Sequence, residues 1–387
     1  MKRSMLFLLG CIAVLILAAC GKEEIMAEKE LMEDISMEND RNEDEEGAPG
    51  KAEDDQAEAA ETPEAPSESA ADPGAESETE PATEKDYFIE ETFTSTVLAS
   101  VKDGSSPAKE IKIYLPPTYY TSGKSYPAVY FFHGFGDSMH FILLNRFYFN
   151  ELMVQQGNKE FIVVEVSGQR ASASQGSFWV NSPVAGLWED YVIDEIVPYI
   201  DNSYRTIPEA ASRGIAGFSM GGFASLNLAF GHPDVFSSVQ SLCPGVLKEG
   251  SLGSAMNSWR GDNTFLTCYG QSFAPNEDKE RLCDIPLMDG TPEDDEIIEK
   301  WEAGFGDWDE KLDAYLQKNR PLKSIQVIYG AMDYYKWIPE GCIDLSELMT
   351  EKEIDHTLKE LSTGHNIPTR YAEEYFIPFF SENLVSE

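Results

Sequence analysis

Apolar positions along this chain form short runs separated by stretches of helical periodicity. Residues 111–115 alternate apolar and polar with period two before Pro116 and Pro117, which predicts a strand with one buried face. Residues 128–132 (Ala-Val-Tyr-Phe-Phe) and 161–166 (Phe-Ile-Val-Val-Glu-Val) are nearly unbroken apolar runs, as in strands buried on both faces of a parallel sheet. Leu187, Tyr191, Ile193, Ile196, Val197 and Ile200 recur at helical spacing and predict a helix over 187–201, kinked or shortened by Pro198. The same reading predicts strands at 213–217, 236–242, 324–329 and 356–361, and helices at 220–230, 309–319 and 368–380. Strands alternating with helices imply an α/β fold, a mostly parallel sheet with helices on both faces.

Two early segments break this pattern. Met5 to Leu17 is an apolar stretch behind Lys2 and Arg3, too short to span a bilayer comfortably. It ends in Leu17-Ala18-Ala19-Cys20-Gly21, small residues before a cysteine that resemble the bacterial lipoprotein box. That resemblance implies a signal peptide over 1–19 and acylation of Cys20, with enough acyl chains for stable anchoring to the outer face of a cell membrane. Residues 20–86 then read as an acidic linker. Residues 21–86 carry 25 Asp+Glu against 5 Lys+Arg and almost no aromatics, so the segment cannot bury enough surface to offset its chain entropy.

Aromatic and β-branched residues become dense at Tyr87, and 87–387 reads as one catalytic-size domain. The whole chain of 387 residues has a formal net charge of -40, about half of it from the linker. Such a charge argues against nucleic acid as a partner. No His/Cys cluster has zinc spacing.

The sharpest chemical signal is Gly217-Phe218-Ser219-Met220-Gly221-Gly222, a G-x-S-x-G between a predicted strand and a predicted helix. The glycines permit a turn too tight for a Cβ, and the turn lifts the Ser219 hydroxyl above the sheet. A serine at its ordinary pKa needs a base. With the chain order Ser, acid, His of this architecture, His133 and His140 come too early. His232 reads as a residue in the turn after the elbow helix, and His356 falls inside a predicted strand. His365, in the loop Ser362-Thr-Gly-His-Asn366, is the expected base. The orienting acid is expected at Asp333, just after strand 324–329, with Asp344, Glu347 and Asp355 as rivals. An oxyanion needs preorganised N–H donors. Met220, following the nucleophile, supplies one, and Phe135 in His133-Gly134-Phe135-Gly136-Asp137 is expected to supply the other. His133 itself reads as structural.

Together these motifs, with Gly186-Leu-Trp-Glu-Asp-Tyr191, resemble the esterase D / feruloyl esterase group of α/β hydrolases, related to the antigen 85 mycolyltransferases. The resemblance covers most of 95–380. It implies Ser219, Asp333 and His365 as a triad, Phe135 and Met220 as oxyanion donors, and an ester substrate; the reaction so read needs no cofactor or metal. Members closest in style are secreted carbohydrate esterases that release feruloyl or acetyl groups from plant polysaccharide. An acyltransferase of the antigen 85 type, or a non-catalytic binding lipoprotein on a hydrolase scaffold, is the competing reading.

Residues 245–308 depart from the family pattern and read as an insertion or lid near the active-site mouth. Trp179, Trp188 and Trp259 are candidate platforms for a sugar or aryl group. Export permits disulfides, and Cys268 with Cys283 would close a short loop inside the insertion.

Overall fold

The computed structural model describes residues 86–387, apart from Ser138 and Gln156. The segments expected to be a signal peptide, a lipidation site at Cys20 and an acidic linker fall within residues 1–85, outside the described residues. No helix among the described residues is long and apolar enough to cross a membrane.

Strands β1 (Phe88–Thr94), β2 (Ala108–Tyr114) and β3 (Ala128–Phe132) are followed by α1 (Phe141–Leu152) and β4 (Ile162–Val166). A two-stranded ribbon, β5 (Asn181–Ser182) and β6 (Gly186–Leu187), leads into the helical stretch α2 (188–203). Then come β7 (Arg213–Phe218), α3 (Met220–Gly231) and β8 (Ser238–Leu242). Three helices fill the expected insertion: α4 (Leu252–Ser258), α5 (Asn263–Phe273) and α6 (Pro292–Phe305). The chain closes with α7 (Trp308–Gln317), β9 (Ser324–Gly330), α8 (Trp337–Glu351), β10 (Thr357–Leu361) and α9 (372–383).

The main sheet has the order β1-β2-β4-β3-β7-β8-β9-β10. Strand β2 runs antiparallel to both β1 and β4, and every other pairing is parallel. The inner strands β3 and β4 are buried at every position, which is why their sequences are continuous apolar runs. Successive side chains on β3 serve opposite faces. Phe131 stacks on Phe141 at 3.7 Å and meets Phe376, whereas Phe132 packs on Trp179 and Tyr130 on Phe236. Helices α1 and α9 therefore cover one face, and the residues after β4 cover the other.

Pro198 neither ends nor shortens its helix. The turns before it widen to a π-helix over Tyr191–Ile196, with Val197 N–H donating to Val192 O. The same device precedes Pro378, where Ile377 N–H donates to Ala372 O at the end of the π-helix Ala372–Phe376. A proline ring clashes with the carbonyl four residues back in α geometry, and one widened turn removes that clash.

The insertion is packed rather than loose. Tyr269 donates to Trp301 O at 2.8 Å and accepts from Phe305 N–H at 2.9 Å, joining α5 to α6. All four described cysteines are thiols. The expected Cys268–Cys283 bridge is absent, and Cys283 Sγ lies instead 3.8 Å from Thr267 O.

Glu165 of β4 is fully buried and receives Phe141 N–H at 3.1 Å and Ile142 N–H at 3.2 Å, so it caps α1 from a neighbouring strand. Burial pushes its carboxyl up to about 8, overriding the two N–H bonds and the charge of Lys112. A raised folded-state pKa contributes stability that is full below the ordinary value of 4.5 and is lost as pH rises through about 8. Glu165→Gln is expected to remove that dependence. Urea unfolding at pH 5 and pH 9 should show the parent losing more stability across the interval than the variant, by on the order of a few kcal/mol. Equal losses in both proteins would contradict the assignment.

Candidate active site

The elbow is formed by close contacts that only glycine tolerates. A Cβ on Gly217 would lie 2.1 Å from Gly221 O, and one on Gly221 would lie 2.1 Å from Phe132 O. Strand β7, helix α3 and the end of β3 thus meet without side chains between them. Ser219, between β7 and α3, has φ +54° and ψ -112°, a torsion pair that L-residues adopt only under strain. The strain is held by hydrogen bonds to the backbone. Ser219 N–H donates to Leu242 O at 2.9 Å, and Ser219 O accepts from Phe223 N–H at 2.9 Å and from Gly245 N–H at 3.3 Å.

Three side chains that are far apart in sequence converge there. Ser219 Oγ lies 2.9 Å from His365 Nε2, and His365 Nδ1 lies 2.7 Å from Asp333 Oδ2. A carboxylate only accepts, so Nδ1–H donates to Asp333 and Nε2 is left to accept from the Ser219 hydroxyl. Asp333 is fully buried, and its Oδ1 accepts from Tyr335 N–H at 2.8 Å. Gly330 places the acid: a Cβ there would lie 2.4 Å from Gly364 O, so β9 and the His365 loop pack backbone to backbone. Such a relay can withdraw the hydroxyl proton and hold the imidazolium that forms.

The rivals lie elsewhere. Asp344 pairs with Lys248 at 3.4 Å. His356 Nε2 sits 2.7 Å from Ser346 Oγ, and His232 Nε2 sits 2.7 Å from Glu189 Oε1 after the end of α3. His133 is locked into the fold. Its Nδ1 lies 2.7 Å from Gly134 O and its Nε2 accepts Gly168 N–H at 2.9 Å, while burial lowers its pKa. It therefore braces the loop that carries Phe135.

Neither Met220 N–H nor Phe135 N–H has an acceptor among the described residues. Gly134 brings that loop against the elbow: a Cβ there would lie 3.0 Å from the Phe218 ring and 3.7 Å from Ser219 Cβ. Gly136, with φ +72°, turns the loop back. The Phe135 ring packs on Phe178 and, at 4.9 Å, on Phe265 of α5, so the insertion reaches the site at this point.

The tryptophan expectations fail. Trp179 and Trp188 are fully buried and Trp259 is 3% exposed. Their faces are occupied by Phe132, by Tyr191 and by Phe265 with Tyr269, respectively, which leaves no surface for a ligand. The aromatic rings beside His365 are Phe218 at 5.0 Å, Tyr335 at 5.2 Å and Tyr334 at 5.8 Å, and Tyr334 is well exposed. Their adjacency to Ser219 and Asp333 in the chain was the available signal.

Behind the acid, donor atoms of Cys243, Asp333 and His365 lie within 4.8 Å of one another. Burial, helped by the Asp333 charge, pushes the Cys243 thiol up to about 12, so it is poorly disposed to bind a metal as thiolate.

The sheet, the elbow and the relay over its edge define an α/β hydrolase. The chain belongs to the Esterase family, whose model, described as a putative esterase, matches residues 107–368. Esterase Rv1288 of Mycobacterium tuberculosis is 34% identical over 136 residues, which are 34% of this chain and 28% of that protein. The Endo-1,4-beta-xylanase/feruloyl esterase of Xylanibacter ruminicola is 30% identical over 131 residues, 32% of this chain and 18% of that protein. The chain thus spans well under a third of either relative. The solved structure of a ferulic acid esterase superposes with a TM-score of 0.51 at 18% identity, covering 77% of this chain and 98% of that one.

Proposed function

We propose that Ser219 is the nucleophile of this esterase, His365 its general base and acid, and Asp333 the orienting carboxylate. Met220 and Phe135 N–H groups receive the developing oxyanion. His365 takes the Ser219 proton as Oγ attacks the ester carbonyl, then gives it to the departing alcohol. Water, activated by the same imidazole, resolves the acyl-enzyme. The observation that carries this reading is the unbroken hydrogen-bonded chain from Ser219 Oγ through His365 to buried Asp333. Labelling with a fluorophosphonate tests it: mass spectrometry should find the adduct on Ser219, and a protein that stays unlabelled would refute the mechanism.

We infer a carbohydrate esterase releasing feruloyl or acetyl groups from plant polysaccharide. The motif resemblance and the feruloyl esterases among the relatives support this reading. Hydrolysis of feruloylated and acetylated xylo-oligosaccharides at rates well above those for simple aryl esters is the expected result. The inverse ranking would sink it. The sequence of residues 1–20 supports a surface lipoprotein. In a bacterial host, Cys20→Ala should abolish incorporation of an alkyne-tagged fatty acid, and continued incorporation would exclude that anchor.

A further inference from the structure

A concavity lies beside the elbow, on the side of the Phe135 loop. Gln175 lines it. A Cβ on the next residue, Gly176, would lie 2.3 Å from Met220 Sδ and 2.7 Å from the Phe135 ring. Its far wall is the first turns of α5, the helix whose Phe265 packs on Phe135. The pocket has a volume of about 350 Å³, within the range that holds small ligands.

Its charges are unusual for so acidic a protein. Arg170 lines the pocket with its side chain 1% exposed. Its Nε and Nη2 both lie 2.6 Å from Asp103 Oδ2, and Nη2 donates to Gln271 Oε1 at 2.5 Å. Nη1 is buried and has no acceptor. A buried guanidinium nitrogen left unbonded is costly and calls for a partner. Arg281 also lines the pocket, held only by a 3.5 Å contact to Asn263 Oδ1, with no carboxylate in ion-pair range among the described residues. Asp103 cancels Arg170, so the pocket presents one uncompensated positive charge. Thr264, Thr267 and Gln175 add hydroxyl and amide groups suited to a polyol.

We propose that this pocket is a subsite for a uronic-acid unit of the ester substrate, its carboxylate received by Arg281, with the buried Arg170 guanidinium in the wall behind it. The inference deepens the carbohydrate-esterase reading and rests on it. A monoanion matches the single uncompensated charge. A phosphate dianion would meet the Asp103 carboxylate at the same wall. Arginine forks suit a planar carboxylate.

Binding can be measured without turnover, so it fails or holds separately from the Ser219 chemistry. Ligand-observed NMR on the full chain should show methyl glucuronide binding about tenfold tighter than methyl glucoside. Arg281→Gln, an exposed position, should remove most of that preference. Thr267→Leu, which fills the pocket, should weaken both sugars. Equal affinity for the two sugars, tighter binding of inorganic phosphate with the same Arg281 dependence, or affinity unchanged in both variants would overturn the proposal. Loss of fluorophosphonate labelling alongside retained glucuronide binding would instead indict the esterase mechanism alone.

Discussion

Ser219→Ala protein is expected to lose p-nitrophenyl acetate hydrolysis by on the order of 10⁴-fold or more. In the proposed mechanism the variant removes the atom that forms the acyl bond, while the proposed oxyanion donors and the relay partners remain. Alanine also has a Cβ at φ +54°, so the strain of the elbow is unchanged and the thermal unfolding midpoint should stay near that of the parent. Retained turnover in a variant that unfolds normally would mean that another nucleophile carries the reaction. The glycines around residue 219 sharpen the test, since they fix the turn by backbone contacts that do not involve the hydroxyl.

Asp333→Asn should come next in severity, with kcat reduced about 10⁴-fold and KM little altered. The direction follows from the two hydrogen bonds at the carboxylate. Oδ1 accepts from Tyr335 N–H, so an asparagine must keep its carbonyl oxygen there and turn its NH₂ toward His365 Nδ1. That amide donates, so the imidazole proton moves to Nε2, which can then no longer accept from Ser219. The flipped amide would set its NH₂ against Tyr335 N–H, donor against donor, at a fully buried position. An Asp333→Asn enzyme within a few fold of the parent would show that the tautomer at His365 is set by something else.

Much of this geometry was readable before any coordinates. The inner strands announce themselves because both faces are buried and the sequence has no polar beat. Residues 217–222 and 365 sit where punctuating glycines make the backbone contacts that assemble the site. Harder to read were elements whose periodicity is blurred. Strand β1 lies at the sheet edge and alternates only between half-buried and exposed, with glutamates on it. Helix α1 carries apolar side chains on several faces, and α8 opens with an aromatic and a proline. Helix α6 did carry a start signal, since Thr291 caps it and Pro292 and three acids fill its first turn, but it lies within the segment read only as an insertion. The tryptophans misled for another reason. A ring that can stack on a sugar is chemically the same as one that fills a core, and only the fold decides which. Arg170 with its odd nitrogen left no trace in the sequence at all, because its partners at 103 and 271 are far along the chain.

The backbone at position 219 has one more implication. Glycine visits that torsion freely, whereas serine is forced into it. On the proposed mechanism Ser219→Gly should be inactive, and urea unfolding should find it about 1 kcal/mol more stable than the parent, the relief of strain exceeding the entropy gained by the unfolded chain. On the proposed mechanism, the same torsion that lifts the hydroxyl out of the turn is the one that costs the fold, so reactivity and robustness pull in opposite directions at this position.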